Sequence, residues 1–286
     1  MIFSPLRYPG GKSKITPLMV EVISSLKTCS TYIEPFAGGA GVAINLLLNG
    51  KVDQIVINDY DKSIYSFWRA VKEESDNLLS LIEATQVNID EWHRQRAIYA
   101  ESQGKYSIEL AFATFYLNRT NRSGIISAGP IGGLKQNGEF RLDARFNKIN
   151  LMKRIKSISL HAKKIKVYNQ EVRSFIRNTL PKYQDNSFIY FDPPYYENSR
   201  RLYKNSLKSK DHNDIANYIA NYVRAPWVIT YDAVTEIEAI YRAYPKRYYL
   251  LNYSAARKVK GRELVIFKDE TIIPNTMLNS SLDFIF

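Results

Sequence analysis

The apolar run Ser187 to Phe191 (SFIYF) is followed at once by Asp192-Pro193-Pro194-Tyr195. Two consecutive prolines can neither continue a sheet ladder nor open an ordinary helix turn, so the chain must leave this strand in a stiff, extended shape. That holds the Asp192 carboxylate and the neighbouring carbonyls as acceptors at a strand's carboxyl end, the edge where open α/β sheets bind ligands. A plain turn after an edge strand would use the same residue types, and a second constellation upstream decides against it. Thr31 to Phe36 (TYIEPF) runs into the turn Ala37 to Gly41 (AGGAG) and then into an apolar helical segment, Val42 to Leu48, closed by Asn49-Gly50. A second strand, Gln54 to Asn58 (QIVIN), stops at Asp59. Strand, glycine turn, helix, strand and acid form the order of a βαβ nucleotide-binding unit. Gly38 and Gly39 let backbone approach a ligand where a side chain would clash. Asp59, about 20 residues beyond the glycines, is placed to accept hydrogen bonds from ribose hydroxyls.

Other chemistries find little support. The chain has 286 residues, 45% apolar and 24% charged, which suits a folded globule and argues against disorder or a fibrous repeat. The length fits one large domain or a domain with an insertion. A single cysteine, Cys29, excludes an intrachain disulfide, and His93, His161 and His212 are too scattered for a metal site. Gly10-Gly11-Lys12-Ser13 is no phosphate loop, because Leu6 stands where that motif needs glycine and no strand precedes it. The longest apolar run, Ile44 to Leu48, is far short of the ~20 residues of a membrane span. The N-terminus also lacks the order of a signal peptide. An intracellular, reducing, cytoplasmic setting without a membrane is expected.

The formal net charge of +12 points to a polyanionic partner. Nine bases crowd between Arg141 and Lys166 against one acid, Asp143, and Arg200, Arg201, Lys204, Lys208 and Lys210 follow Asp192 with Tyr196 and Tyr203 among them. Bases interleaved with aromatics favour nucleic acid.

Other elements must carry these groups. Asp61 to Lys105 reads as charged helix and Ile108 to Leu117 as a helix with an apolar, aromatic face. Asn118 to Asn137 (NRTNRSGIISAGPIGGLKQN) reads as an extended loop or hairpin, long enough to be functional. A basic helix near Asn147 to Leu160 and a strand at Ile165 to Tyr168 follow, then a helix around Val172 to Leu180. After the Asp192 strand come a helix from Asp211, a strand at Trp227 to Tyr231, a helix at Val234 to Arg242, and closing strands at Arg247 to Leu251 and Glu263 to Phe267. Such alternation predicts an α/β fold with a parallel, doubly wound sheet.

The motifs together resemble the Dam-like, or D12, class of adenine-N6 DNA methyltransferases over most of the chain. Asp192-Pro193-Pro194-Tyr195 looks like that family's hallmark, and Tyr8-Pro9-Gly10-Gly11-Lys12 and Glu34-Pro35-Phe36-Ala37-Gly38 look like its cofactor motifs. Asn58-Asp59, Asn118-Arg119, Asp211-His212 and Arg262-Glu263-Leu264 follow in family order. The resemblance implies a Rossmann-like S-adenosylmethionine-dependent methyltransferase sheet built from residues 1–65 and 165–286. Residues 66–164 would be an inserted, mainly helical target-recognition region with its Gly/Asn/Arg-rich loop at 118–141.

The implied reaction moves a methyl group from S-adenosylmethionine to N6 of an adenine flipped out of duplex DNA, with no metal. Asp192, Pro193, Pro194 and Tyr195 would form the catalytic motif. Asp192 and the Pro193 carbonyl would accept the N6 hydrogens, and Tyr195 would stack on the base. Tyr8, Lys12, Phe36, Gly38, Gly39, Asp59 and Asp192 would hold the cofactor, Lys12 at its carboxylate. Arg119, Asn121, Arg122, Lys135, Asn137 and Arg141 are the candidate DNA contacts, since Arg pairs with guanine and Asn with adenine in the major groove. A separate restriction endonuclease or other defence-system chain is the partner such an enzyme suggests.

Three positions depart from the family pattern. Ala40 stands at the last glycine of the cofactor loop, Gln170-Glu171 where relatives carry Asp, and Asn121-Arg122-Ser123-Gly124 where they show an aromatic before Asn-Gly. A catalytically silent DNA-binding relative has no chemical need for Asp192. Cytosine-N4 enzymes more often carry Ser there, and methylation of RNA adenine remains the other alternative.

Overall fold

The computed structural model describes residues 3–7, 15–26, 28–102, 104–196, 207–255, 257–278 and 283–285. Helix α1 (Thr16–Ser25) precedes strand β1 (Thr31–Glu34), helix α2 (Gly41–Leu48) and strand β2 (Gln54–Asn58). Helices α3 (Lys62–Glu73), α4 (Ser75–Ala84), α5 (Ile89–Glu101), α6 (Ile108–Thr120) and α7 (Lys148–Ser159) come before β3 (Ile165–Tyr168). A short helix α8 (Val172–Ser174), strand β4 (Ser187–Phe191), helix α9 (Ser209–Tyr222), strand β5 (Trp227–Asp232) and helix α10 (Thr235–Ile240) follow. The long strands β6 (Lys246–Ala255) and β7 (Arg257–Phe267), helix α11 (Asn275–Leu278) and strand β8 (Asp283–Ile285) end the described chain.

The strands make one sheet in the order β3-β2-β1-β4-β5-β7-β6-β8. β3 through β5 run parallel in that order, whereas β7 is antiparallel to both β5 and β6. A parallel, doubly wound sheet was the expectation from alternation; β1 to β5 follow it and the last strands depart from it. β6 and β7 abut in sequence, leaving no room for the crossover that a parallel pair requires. The result is a Rossmann-like α/β fold with a mixed edge.

Period-two alternation divides the strand side chains between two cores. Tyr32, Ile55, Ile57, Phe188, Tyr190, Val228, Val265 and Phe267 face one, while Ile33, Val56, Ile189, Phe191, Ile229, Tyr231, Leu264 and Ile266 face the other. Both faces are covered, which is why the central strands read as continuous apolar runs. Burying each large side chain contributes about 1.5–3 kcal/mol.

Helices α4 to α7 lie between β2 and β3 in sequence, yet their core is continuous with the first sheet face. α6 is buried nearly all round, from Leu110 to Asn118 and again at Thr120, as a central helix must be. Phe115 stacks on Phe67 of α3 at 5.8 Å and meets Phe146 edge-on at 5.5 Å. The starts of these helices follow from local chemistry: Asp61, Asn88, Ser107 and Asn147 each accept a first-turn backbone N–H.

Two boundaries differ from the sequence reading. α6 runs on to Thr120 instead of breaking at Asn118, because Thr120 Oγ1 donates to the Tyr116 carbonyl at 2.7 Å and Asn118 is buried with its amide satisfied. The helix expected over Val172 to Leu180 becomes α8, a π turn at Phe175–Thr179 and a 3-10 turn at Leu180–Tyr183. Pro181 lacks the N–H that a continuing α-helix would need.

Candidate active site at the carboxyl edge of the sheet

The strand order reverses between β1 and β4, since β1 leads outward to β2 on one side and pairs with β4 on the other. Asp192 stands one residue past β4 at this switch point, partly buried, with Thr230 Oγ1 of β5 donating to its Oδ1 at 3.0 Å. Tyr190 Oη lies 2.7 Å from the same threonine oxygen. Pro193 is buried and Pro194 partly so. Tyr195 is buried and its hydroxyl donates to Oε1 of Glu263 at 2.7 Å. Glu263, which sequence singled out only as part of a signature, thus turns out to anchor this tyrosine. The Tyr196 N–H donates to Asp232 Oδ1 at 2.9 Å, fixing the chain as it leaves the prolines. Below it His212 is buried, its Nδ1 2.9 Å from the Tyr231 hydroxyl and its ring 5.2 Å from that of Tyr196.

The glycine turn sits on the other side of the switch point. Gly38 has φ +46°, its N–H donates to Asp59 Oδ2 at 2.8 Å, and its carbonyl accepts from Trp68 Nε1 at 2.8 Å. Ala40 holds φ +44° immediately before α2, a left-handed conformation that suits glycine. The family glycine that Ala40 replaces therefore coincides with a left-handed position. Asp59 Oδ1 accepts the Asp61 N–H at 2.8 Å. Asn58 is buried and ties three strand ends together, donating to the Pro35 and Gln170 carbonyls and accepting the Gln170 N–H. Burial, then the Asp61 charge, pushes the Asp59 carboxyl up to about 7. Burial pushes Glu34 up to about 8, although it accepts from the Tyr32 hydroxyl at 3.0 Å and the Ala43 N–H at 3.1 Å.

This chemistry fits a nucleoside-bearing cofactor. Each Asp59 oxygen has one backbone donor, and a carboxylate offers about four lone-pair sites, so two hydroxyl donors find acceptors there. Gly38 and Gly39 are buried, and Phe36 packs against the second core at the turn's mouth. Tyr8 and Lys12 lie outside the described residues. The segment leading to them is held down: Ser4 Oγ donates to the Gly39 carbonyl at 2.5 Å, and Asn118 brackets Arg7, accepting its N–H at 2.7 Å and donating to its carbonyl at 2.6 Å.

Residues 8–259 match the family model described as "D12 class N6 adenine-specific DNA methyltransferase". The chain belongs to that class. It is 24% identical over 225 residues to the "Type II methyltransferase M.MjaIII" of Methanocaldococcus jannaschii, covering 73% of this chain and 74% of that protein. It is also 24% identical to the "Modification methylase StsI" of Streptococcus sanguinis over 68% of this chain, which spans only 29% of that larger protein. Among solved structures it aligns with an rRNA methyltransferase, aviRa, of Streptomyces viridochromogenes at a TM-score of 0.43 and 9% identity, over 94% of this chain and 90% of that one. This D12-class protein is therefore an S-adenosylmethionine-dependent DNA methyltransferase. Among the described residues no helix is long and apolar enough to cross a membrane, and no group of three His, Cys, Asp or Glu could hold a metal.

The expected DNA contacts of this methyltransferase divide into two kinds. Arg122, Lys135, Asn137 and Arg141 are exposed on the loop that follows α6. That loop is self-braced: Gln136 Nε2 donates to the Ile131 and Gly133 carbonyls, and its Oε1 accepts the Leu142 N–H. Asn121, expected to read a base, is instead fully buried. Its Oδ1 accepts Trp92 Nε1 at 2.7 Å and its Nδ2 donates to the Ile125 and Ile126 carbonyls, so its amide edge is spent on the fold. Arg119 donates to the Arg145 carbonyl and is pushed down to about 9 by burial and by Arg7, Arg154 and Arg145.

The basic run after Arg141 also divides. Lys148 donates to the Glu83 and Thr85 carbonyls at the end of α4, Arg154 donates to the Ser4 carbonyl at 3.1 Å, and Lys156 lies 3.6 Å from Asp76. Glu171, at the position of the family's Asp, caps α8 and pairs with Arg173. Thr230 and Trp68 carried no mark of the site in sequence. The signal for Thr230 is a hydroxyl near the end of the strand beside Asp192, but nothing local says which strand that is.

Proposed function

We propose that this protein transfers the methyl group of S-adenosylmethionine to N6 of an adenine extruded from duplex DNA. The observation that carries the reading is Asp192, held by Thr230 at the carboxyl end of β4, across the switch point from the Gly38-Asp59 turn. Bound there, the cofactor supplies an electrophilic sulfonium methyl. The adenine amine is a poor nucleophile because its lone pair is delocalised into the ring. Asp192 and the Pro193 carbonyl accept hydrogen bonds from the two N6 hydrogens, which favours a pyramidal nitrogen with its lone pair aimed at the methyl carbon; as the N–C bond forms the S–C bond breaks to leave the thioether, and the surplus N6 proton passes by way of Asp192 to solvent. Tyr195, its hydroxyl tied to Glu263, presents its ring to the base, and flipping costs a few kcal/mol. Asp59 receives the ribose hydroxyls, Phe36, Gly38 and Gly39 line the cofactor, and Tyr8 and Lys12 complete that site.

The insertion 66–164 carries target recognition in this reading, with Arg122, Lys135, Asn137 and Arg141 as the exposed readers and phosphate contacts. Arg119 is crowded by the charges of Arg7, Arg154 and Arg145, and Arg7 by that of Arg145. A polyanionic backbone relieves that repulsion, which supports DNA as the partner. The protein acts in the cytoplasm, and a restriction endonuclease on a separate chain is its natural counterpart.

The test is methyl transfer from labelled S-adenosylmethionine to duplex DNA and to single-stranded RNA, with the modified base identified by mass spectrometry. N6-methyladenine in duplex DNA is expected, falling by ~10²–10⁴-fold or more in Asp192→Ala while DNA binding persists. Equal activity in the variant, or label only in RNA, would overturn the reading. Failure to bind S-adenosylmethionine in calorimetry would turn it to a silent DNA-binding protein.

A further inference from the structure

We propose that Tyr190 and Thr230 are positioning residues, a two-hydroxyl relay that orients the Asp192 carboxylate for methyl transfer. Asp192 lies just beyond the last ladder residue of β4 and its chain turns away through Pro193, so the backbone alone leaves its side chain two torsions to settle, the outer one broad. The register Tyr190↔Val228 and Phe191↔Ile229 carries on to set Thr230 beside Asp192, on the same sheet face as Tyr190. Thr230 is fully buried and Tyr190 nearly so. The direction of the relay follows from counting hydrogens. A carboxylate oxygen has none to give, so the single Thr230 hydroxyl hydrogen goes to Asp192 Oδ1 at 3.0 Å. The Thr230 oxygen must then accept at 2.7 Å from the Tyr190 hydroxyl. Thr230 is β-branched and stiff at χ1, and both residues sit within paired strands, so the rigidity of the sheet passes to a carboxylate outside it.

The proposal rests on Asp192 acting on the amine, and its test keeps the two ideas apart. Thr230→Val preserves shape and removes the donor, Thr230→Ser restores a donor, Tyr190→Phe removes only the outer hydroxyl, and the double variant Tyr190→Phe/Thr230→Val removes the relay whole. Steady-state methylation should show Thr230→Val losing about 10- to 100-fold in kcat with KM for DNA and for S-adenosylmethionine unchanged, as expected when a reacting group loses its orientation. Thr230→Ser should recover most of that loss. The double variant, whatever its Tm, should keep kcat as low as in Thr230→Val alone, since the outer hydroxyl reaches Asp192 through Thr230. A merely structural role would make activity follow stability. Wild-type kcat in Thr230→Val, or a double variant whose kcat is the product of the single losses, would overturn the relay. Absence of methylation by the wild-type protein would instead overturn the proposed function.

Discussion

The carboxyl edge of the sheet and the loop after α6 arrange their polar residues in opposite ways. At the sheet edge the polar side chains are buried or half-buried and locked: Asp192 to Thr230, Tyr195 to Glu263, Asp59 to two backbone amides. On the loop the backbone is locked, by Gln136 and by the buried Asn121, while Arg122, Lys135, Asn137 and Arg141 stand in solvent. Chemistry on one atom needs its acceptor fixed, whereas reading a long polyanion needs side chains that reach from a fixed frame. The same residue type can serve either purpose, and only its burial says which.

Asn121 offers the sharpest way to break this contrast. If it belongs to the frame, Asn121→Ala should destabilise the fold by about 1–3 kcal/mol, because the Trp92 N–H and two carbonyls lose their partner in the core. Denaturant unfolding measures this, and a variant of native stability with an altered target sequence would make Asn121 a reader after all.

At the sheet edge the contrast is sharpened by pH. Burial holds Glu34 at about 8, above its ordinary carboxylate value, so its contribution to stability is complete below the ordinary value and is lost as pH rises through about 8. Glu34→Gln keeps an oxygen for Tyr32 and Ala43 without titrating. Its Tm should gain on the wild type between pH 5 and pH 9 by several °C, at ~2–4 °C per kcal/mol for a chain of this order. Parallel Tm profiles would show that Glu34 is not held neutral.

The smallest effects belong to the exposed cations. Arg122→Ala, Lys135→Ala and Arg141→Ala should leave unfolding midpoints within about 0.5 kcal/mol of wild type. Any that contacts phosphate should lower the salt slope of DNA binding by about 1. Fluorescence anisotropy across a salt series reads the slope, and an unchanged slope for all three would remove the loop from the interface.

Local rules made much of the molecule legible. Strands at Gln54 to Asn58, Ile165 to Tyr168 and Ser187 to Phe191 have the predicted bounds, since short apolar runs bounded by turn residues and acids leave few other options. α1 and β8 escaped notice, and the antiparallel β6-β7 pair was not foreseen. The basic cluster between Arg141 and Lys166 looked uniform in sequence, although Lys148 and Arg154 donate to backbone carbonyls of the protein while Arg141 and Lys156 stand exposed.

By itself the sequence determined that an acid, two prolines and a tyrosine end a buried strand, that a glycine turn and a second acid end two others, and that bases collect in and after a glycine-rich loop. Those are local facts, fixed by torsional limits, turn chemistry and the alternation of side chains along a strand. Only the tertiary structure decided that Thr230, 38 residues on, holds Asp192, that Glu263, 68 residues on, holds Tyr195, and that Asn121 lies in the core. Those pairings depend on strand order and register, and residues so distant in the chain carry no local pattern that announces which neighbours the sheet will give them.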